Sequence, residues 1–352
     1  MSDSFKQNQT AGDHSTTIQA GRDVHVGLIT VSEARQIALD VFRANALELA
    51  GIARSLFEAR GRDFIDRYLE ELQQRKPEAL DALRDPDMQI ALFTAQREYA
   101  RSGDRDLSEL LVDVLVDRAA QKDRDLKRIV LNESLTVAPK LTAEQFDILS
   151  LSFIIRYTKR LNIGNLAQFS SYMLEEVLPF SKNLSKHNAP YQHLQYTGCA
   201  SIDIGEIAIG GIIFSVYPGL FSSGFTREEF ATAIAPPDQW IGTLLIPCFH
   251  KPALFQVAAV GLDDIADVCE RLSVPLEHRE KIRDLQSNHR MNQQEIEKYL
   301  RLNVSGSDIL LDLWEQSPLK HLSLTTVGIA IAHANIRRKL KRDNYNLSIW
   351  IP

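Results

Sequence analysis

Residues 85–104 read DPDMQIALFTAQREYARSGD, and this stretch decides the fold class. Asp85 followed by Pro86 is typical of a helix start, because the aspartate caps the first turn and proline is tolerated there. Gly103 is typical of the residue just after a helix. Between these ends, apolar side chains recur at helical spacing, at Met88, Ile90, Ala91, Phe93 and Ala95. The stretch therefore predicts an α-helix with both ends marked.

The same pattern continues towards the N-terminus. Thr30 and Glu33 fit a capping box, in which the threonine caps the helix and the glutamate reaches back to it. Apolar residues at near-helical spacing follow. They predict a long first helix up to about Arg75, with a break near Gly61.

Further helices are predicted on the C-terminal side of this stretch. Asp104 and Thr142 are expected to cap two of them, a third covers about 122–137, and another follows Asn162. Short connections between successive helices favour antiparallel neighbours. We therefore predict a mainly α fold, with a helical bundle over residues 30–182.

Residues 183–352 are predicted to form a C-terminal α-rich domain with a minor strand element. The polar stretch 181–201 contains a proline and is typical of a linker or a long loop. Residues 240–250, WIGTLLIPCFH, form the strand candidate, with Pro247 at its edge or end. The short helices that follow, the last one after Leu322-Ser323-Leu324, indicate a helix-turn-helix or winged-helix-like end.

The N-terminal segment 1–29 has a repeat of its own. Ala11-Gly12-Asp13 recurs nine residues later as Ala20-Gly21-Arg22-Asp23, and a short alternating run follows each copy. Alternation predicts very short strands joined by glycine turns, which bury too little to be stable alone. Three interpretations are open: stacking of identical copies, a flexible tail, or docking on the body. We favour self-association through this tip, with the candidate residues Gly12, Asp13, Ile18, Gly21, Asp23, Val24 and Val26.

An uncharged apolar stretch lies within the segment 205–222. It reads IAIGGIIFSVYPGLF over residues 207–221, which is shorter than the ~20 residues that a membrane-spanning helix needs. A buried core segment is the favoured interpretation, and insertion into a membrane after activation is the alternative. The residues concerned are Ile207, Ile212, Phe214, Tyr217 and Phe221.

Composition bounds the class of protein. The 352 residues fit about two domains, and 44% hydrophobic with 24% charged residues is ordinary globular composition. The net charge of −6 gives no global reason to bind nucleic acid or an anionic membrane. Three widely spaced cysteines and a polar N-terminus without a secretory signal predict a soluble, cytoplasmic protein.

Motifs that carry chemistry are few. The sequence has no GxxxxGK[ST] loop, no GxSxG elbow and no HExxH pair, so we predict no catalytic residue and no cofactor. Cys248 and His250, with Cys199 and His193 brought near, are the residues that could hold zinc or form a thiol nucleophile. Zinc knuckles of the usual spacing are missing, so a buried cysteine beside an edge histidine is favoured and no metal is predicted.

A basic cluster lies near the C-terminus. Five of the six residues 337–342 are basic, at a predicted helix end where cations are favourable. A solvated helix end is the favoured interpretation, and phosphate binding is the alternative. Trp350 could stack on bases, although we favour its folding back onto the core. The candidate phosphate-binding residues are Arg337, Arg338, Lys339, Lys341 and Arg342.

Several segments together resemble an uncharacterised family of bacterial proteins. They are SEARQIALDVF (32–42), DPDMQIALFTAQREYARSGD (85–104), LKRIVLNESL (126–135) and LTTVGIAIAHANIRR (324–338). The segment AGDHSTTIQAGRDVHVG (11–27) is similar to the tips that open those proteins. Similar tips also precede proteins that look like antiphage defence components. The resemblance implies a link to phage defence and carries over no catalytic residue.

These observations predict a non-enzymatic bacterial interaction protein that self-assembles through its tip, with a phage or host protein as partner. The first alternative is a membrane-disrupting effector that uses residues 205–222. The second is a nucleic-acid-binding protein that uses the C-terminal helices and the cluster 337–342.

Overall fold

The computed structural model describes residues 29–44, 51–234, 242–261, 264–341 and 346–352. Within these ranges the chain is mainly α-helical with two small antiparallel sheets, which confirms the predicted fold class. None of the helices described is long and apolar enough to cross a membrane. The predicted tip, up to residue 28, lies outside these ranges, as does Arg342.

Helices and strands are numbered in chain order. The earlier helices are α1 (Val31–Ala44), α2 (Gly51–Arg75), α3 (Pro86–Ser102), α4 (Arg105–Ala119), α5 (Leu126–Val137), α6 (Ala143–Tyr157), α7 (Leu166–Tyr172), α8 (Asn188–Tyr196), α9 (Ile209–Val216) and α10 (Arg227–Ala233). The later helices are α11 (Asp264–Arg271), α12 (Leu276–Asn288), α13 (Gln293–Asn303), α14 (Ser307–Gln316) and α15 (Thr326–Leu340). The strands are β1 (Ala200–Ile202), β2 (Leu245–Pro247), β3 (Phe255–Val257) and β4 (Leu322–Leu324).

Helix starts lie where the capping residues predict them. The Asp85 carboxylate accepts a hydrogen bond from the backbone N–H of Asp87 at the start of α3. Asp104 caps α4 in the same way. Thr142 forms a complete capping box with Gln145 at the start of α6. Each cap satisfies backbone N–H groups that the first turn leaves without an intrahelical partner.

Some boundaries differ from the prediction. The long first helix predicted up to about Arg75 is two helices, α1 and α2, and the break predicted near Gly61 is wrong, because α2 runs unbroken through this residue. A side chain at Gly61 would overlap the ring of Phe42, so the glycine lets α1 pack closely on α2. The stretch 181–201, predicted as a linker or loop, contains α8, whose Tyr191 and Leu194 are buried.

The main cluster of buried apolar residues is built from α1–α9 and α13–α15, and it runs from Ile29 to Ile351. Helix α15 lies among α4, α5 and α6. The strand before it, β4, pairs with β1, so that Ala200 lies opposite Leu324. The final helix of the predicted winged-helix-like end therefore packs inside the N-terminal bundle, across the boundary predicted at 182/183.

A second cluster lies between α9 and α13 along the chain. It is formed by α10, the β2–β3 pair, α11 and α12, with Phe225, Phe230 and Val257 buried inside it. Strand β2 ends at Pro247, within the predicted strand segment. Backbone and amide groups join the second cluster to the main one. The Gly219 N–H donates to the Val260 carbonyl at 2.7 Å.

The apolar segment 207–221 packs inside the protein. Helix α9 lies against α13 and α6, and Ile212, Tyr217 and Phe221 are buried in the main cluster. Phe214 is half-buried beneath the guanidinium of Arg290, and Ile207 is exposed.

Candidate functional site

A cleft of about 490 Å³ opens between α2, α4 and α15. Its size falls in the range of small-ligand sites, roughly 300–1,000 Å³. All but two of its lining side chains carry a charge, and the set is Arg67, Glu70, Glu71, Gln74, Arg75, Glu109, Val112, Asp113, Arg337, Arg338 and Lys341. We call it the α2–α4–α15 cleft.

The three helices contribute different charges to this cleft. Helix α15 and its C-cap supply three cations, Arg337, Arg338 and Lys341. Helix α4 supplies two anions, Glu109 and Asp113. Helix α2 supplies two of each sign, namely Arg67, Arg75, Glu70 and Glu71. One wall is therefore cationic, one is anionic and one is mixed.

The floor of the cleft is an ion-pair network. Asp113 and Asp117 lie one turn apart on α4 and are shared between two arginines. Arg75 Nη1 lies 2.6 Å from Asp113 Oδ1, and its Nη2 lies 3.3 Å from Asp117 Oδ1. Arg337 reaches the same two carboxylates, at 3.2 Å each. Because all four side chains are largely buried, the network holds the end of α2 and the end of α15 against α4.

The network also contains the best candidates for metal ligands. Among the residues that the structure describes, Asp113, Asp117 and His333 are the set of three whose ligand atoms lie within 4.8 Å of one another. Arg75 and Arg337 pair with these carboxylates, and Arg337 Nη2 lies 3.2 Å from His333 Nδ1. Two guanidinium charges would repel a cation there, so this set does not fit a metal.

The basic cluster predicted from the sequence is divided by the fold. Arg337 belongs to the floor, and Arg338 donates to Asp106 at 2.7 Å and to Asn335. Lys339 lies outside the cleft lining, 2.6 Å from Asp147 and over the Phe180 ring. Lys341 is 76% exposed and 3.9 Å from Glu109. Phosphate binding stays a prediction. In the structure, a carboxylate lies beside four of the five cations proposed for it.

The cysteines and histidines considered for zinc have separate local roles. The Cys248 thiol donates to the Ser222 carbonyl, and His250 Nε2 lies 2.7 Å from the Leu220 carbonyl oxygen. His193 Nδ1 lies 2.9 Å from Gln145 Nε2 of α6. Burial raises the pKa of the Cys199 thiol to about 11, which disfavours the reactive thiolate. These residues form no metal-ligand set in the described part of the chain.

Most of the cleft was missed from the sequence. The carboxylates of its floor come from LLVDVLVD (110–117), in which Asp113 and Asp117 interrupt an apolar run at a spacing of four. Two carboxylates on one face of an otherwise buried helix require cationic partners. This pattern was the available signal, although it does not say which arginines supply the partners.

Comparison with known proteins gives the family. The family model whose description reads “:-like” matches residues 29–351, and the chain belongs to that family. No curated protein and no solved structure matches the chain.

Proposed function

We propose that this chain is a non-enzymatic interaction protein that self-assembles through its N-terminal tip and binds a charged partner group in the α2–α4–α15 cleft. The tip would bring several bodies together, and each body would present one cleft. The charged floor supports a binding role, because its side chains are already positioned by one another.

The junction between tip and body is the observation that carries the proposal. Ile29 is 7% exposed, and its backbone N–H donates to Asp81 Oδ1 at 2.9 Å. The Thr30 N–H donates to the Glu33 carboxylate at 2.7 Å, as the predicted capping box requires. Packed structure therefore starts directly after the tip sequence. Only Gly27 and Leu28 separate it from Val26, so tips that associate would hold their bodies side by side.

The tip sequence favours association because a single tip can bury little apolar surface by itself. Its repeat, Ala11-Gly12-Asp13 and Ala20-Gly21-Arg22-Asp23 with the runs that follow, offers large apolar side chains only at Ile18, Val24 and Val26. Isolated ribbons of this size bury too little to fold in water. Equivalent strands stacked about a symmetry axis bury these side chains and pair their backbone groups.

Light scattering on two forms of the protein tests the assembly. The full chain is expected to show a multiple of its 39.7 kDa mass, and a form lacking residues 1–28 is expected to be monomeric. In the full chain, Val26→Asp should also dissociate the oligomer, while Thr10→Asp, outside the repeat, should not. An oligomer that survives the deletion, or a full chain that is monomeric, would contradict the proposal.

A role in phage defence is part of the proposal and comes from the resemblance of the tip. Phages are expected to form fewer plaques on cells that express the full chain than on cells that express the Val26→Asp variant. Equal plaque numbers for both across a panel of phages would remove this part, whatever the mass measurement shows.

The two alternatives require groups that are engaged elsewhere. Membrane insertion would have to remove Ile212, Tyr217 and Phe221 from the packed main cluster. Nucleic-acid binding would have to take Arg337 and Arg338 from their carboxylates. Both alternatives therefore rank below a binding role for the cleft.

A further inference from the structure

We draw no further inference here: the strongest candidate, the polar pocket of about 350 Å³ between α7 and the segments on either side of it, has a floor in which Arg160 and Glu176 pair with each other, and nothing in the structure identifies a ligand for the exposed polar side chains around them.

Discussion

The main cluster and the second cluster are both apolar, but they differ in which parts of the chain build them. In the main cluster, helices from both ends of the chain interlock, and α15 is surrounded by α4, α5 and α6. The second cluster consists of short elements from one continuous part of the chain. Hydrogen bonds, such as that from Gln256 Nε2 to the Gly219 carbonyl at 2.7 Å, join it to the rest, and Phe249 and Val260 pack against the main cluster.

This difference indicates how each region should respond to substitutions that remove buried side chains. Loss of packing in the main cluster is expected to affect all the helices that build it, because their buried side chains form one connected cluster. Loss of packing in the second cluster is expected to open a local unit while the body stays folded. The same kind of substitution should therefore have different consequences in the two regions.

The largest effect is expected from removing a buried phenylalanine. Phe153→Ala removes a ring that packs against Trp350 in the main cluster, and Phe230→Ala removes one that packs against Phe225 in the second. Each should cost about 3–5 kcal/mol. Hydrogen exchange should show faster opening of the whole body in the first variant and only of the second cluster in the other. Equal profiles would mean that the two regions unfold as one.

The junction between the regions is the next most sensitive point. A side chain at Gly219 would overlap the Ala259 carbonyl, so Gly219→Ala should separate the clusters at a cost of about 1–3 kcal/mol. The control is Gly211→Ala in α9, where no atom lies within 4 Å and alanine is the better helix former. Thermal unfolding should show the loss for Gly219→Ala alone. Similar midpoints for both variants would contradict the close approach.

The capping boxes offer a smaller, matched comparison. Thr142→Ala in α6 and Thr226→Ala in α10 each remove a hydroxyl that accepts from a first-turn N–H group. Each should cost about 1 kcal/mol. Chemical denaturation should detect the Thr142 variant in the main transition, while hydrogen exchange should place the effect of the Thr226 variant in the second cluster. A Thr226 variant that lowers only the main transition would refute this division.

The smallest effect is expected from pH, at the junction. Burial lowers the pKa of His250, against the opposing effect of its hydrogen bond to the Leu220 carbonyl. Below the ordinary histidine pKa of about 6.5, the unfolded form binds a proton before the folded form does. The neutral, buried His250 therefore contributes its full stabilisation above the ordinary pKa. This contribution is lost as the pH falls from the ordinary pKa towards the lower pKa of the folded form.

Hydrogen exchange at about pH 7.5 and about pH 5.5, corrected for intrinsic rates, measures this effect. Residues 242–261 should open more often at the lower pH. His250→Gln, which keeps a donor for the Leu220 carbonyl, should remove the difference. A pH dependence that the variant retains would assign it to another group.

Some parts of this architecture could be predicted because their causes are local. The caps at Asp85, Asp104 and Thr142 act within three residues of themselves, so the sequence beside them is sufficient. The break predicted near Gly61 is wrong, and the reason is a contact with a residue distant in the sequence. Glycine weakens a helix in isolation, yet in this fold the ring of Phe42 packs where a side chain would have been.

The candidate cleft could be predicted only in part. The basic run of 337–342 was visible, and its position at a helix end was expected. Its partners were not, because Asp113 and Asp117 lie 220 or more residues away along the chain. Ion pairs at such separations depend on how helices pack, and packing is not encoded by any short pattern.

The sequence by itself determined that this protein is mainly helical, where most of its helices begin, and that a short Ala-Gly repeat precedes them. Helix formation and capping need only neighbouring residues, so these features follow from spacing and residue type. The tertiary structure decided that the last long helix lies inside the first bundle, that a second apolar cluster forms between α9 and α13, and that scattered charges line one cleft. These features depend on which apolar faces are buried against each other, and that choice involves the whole chain at once.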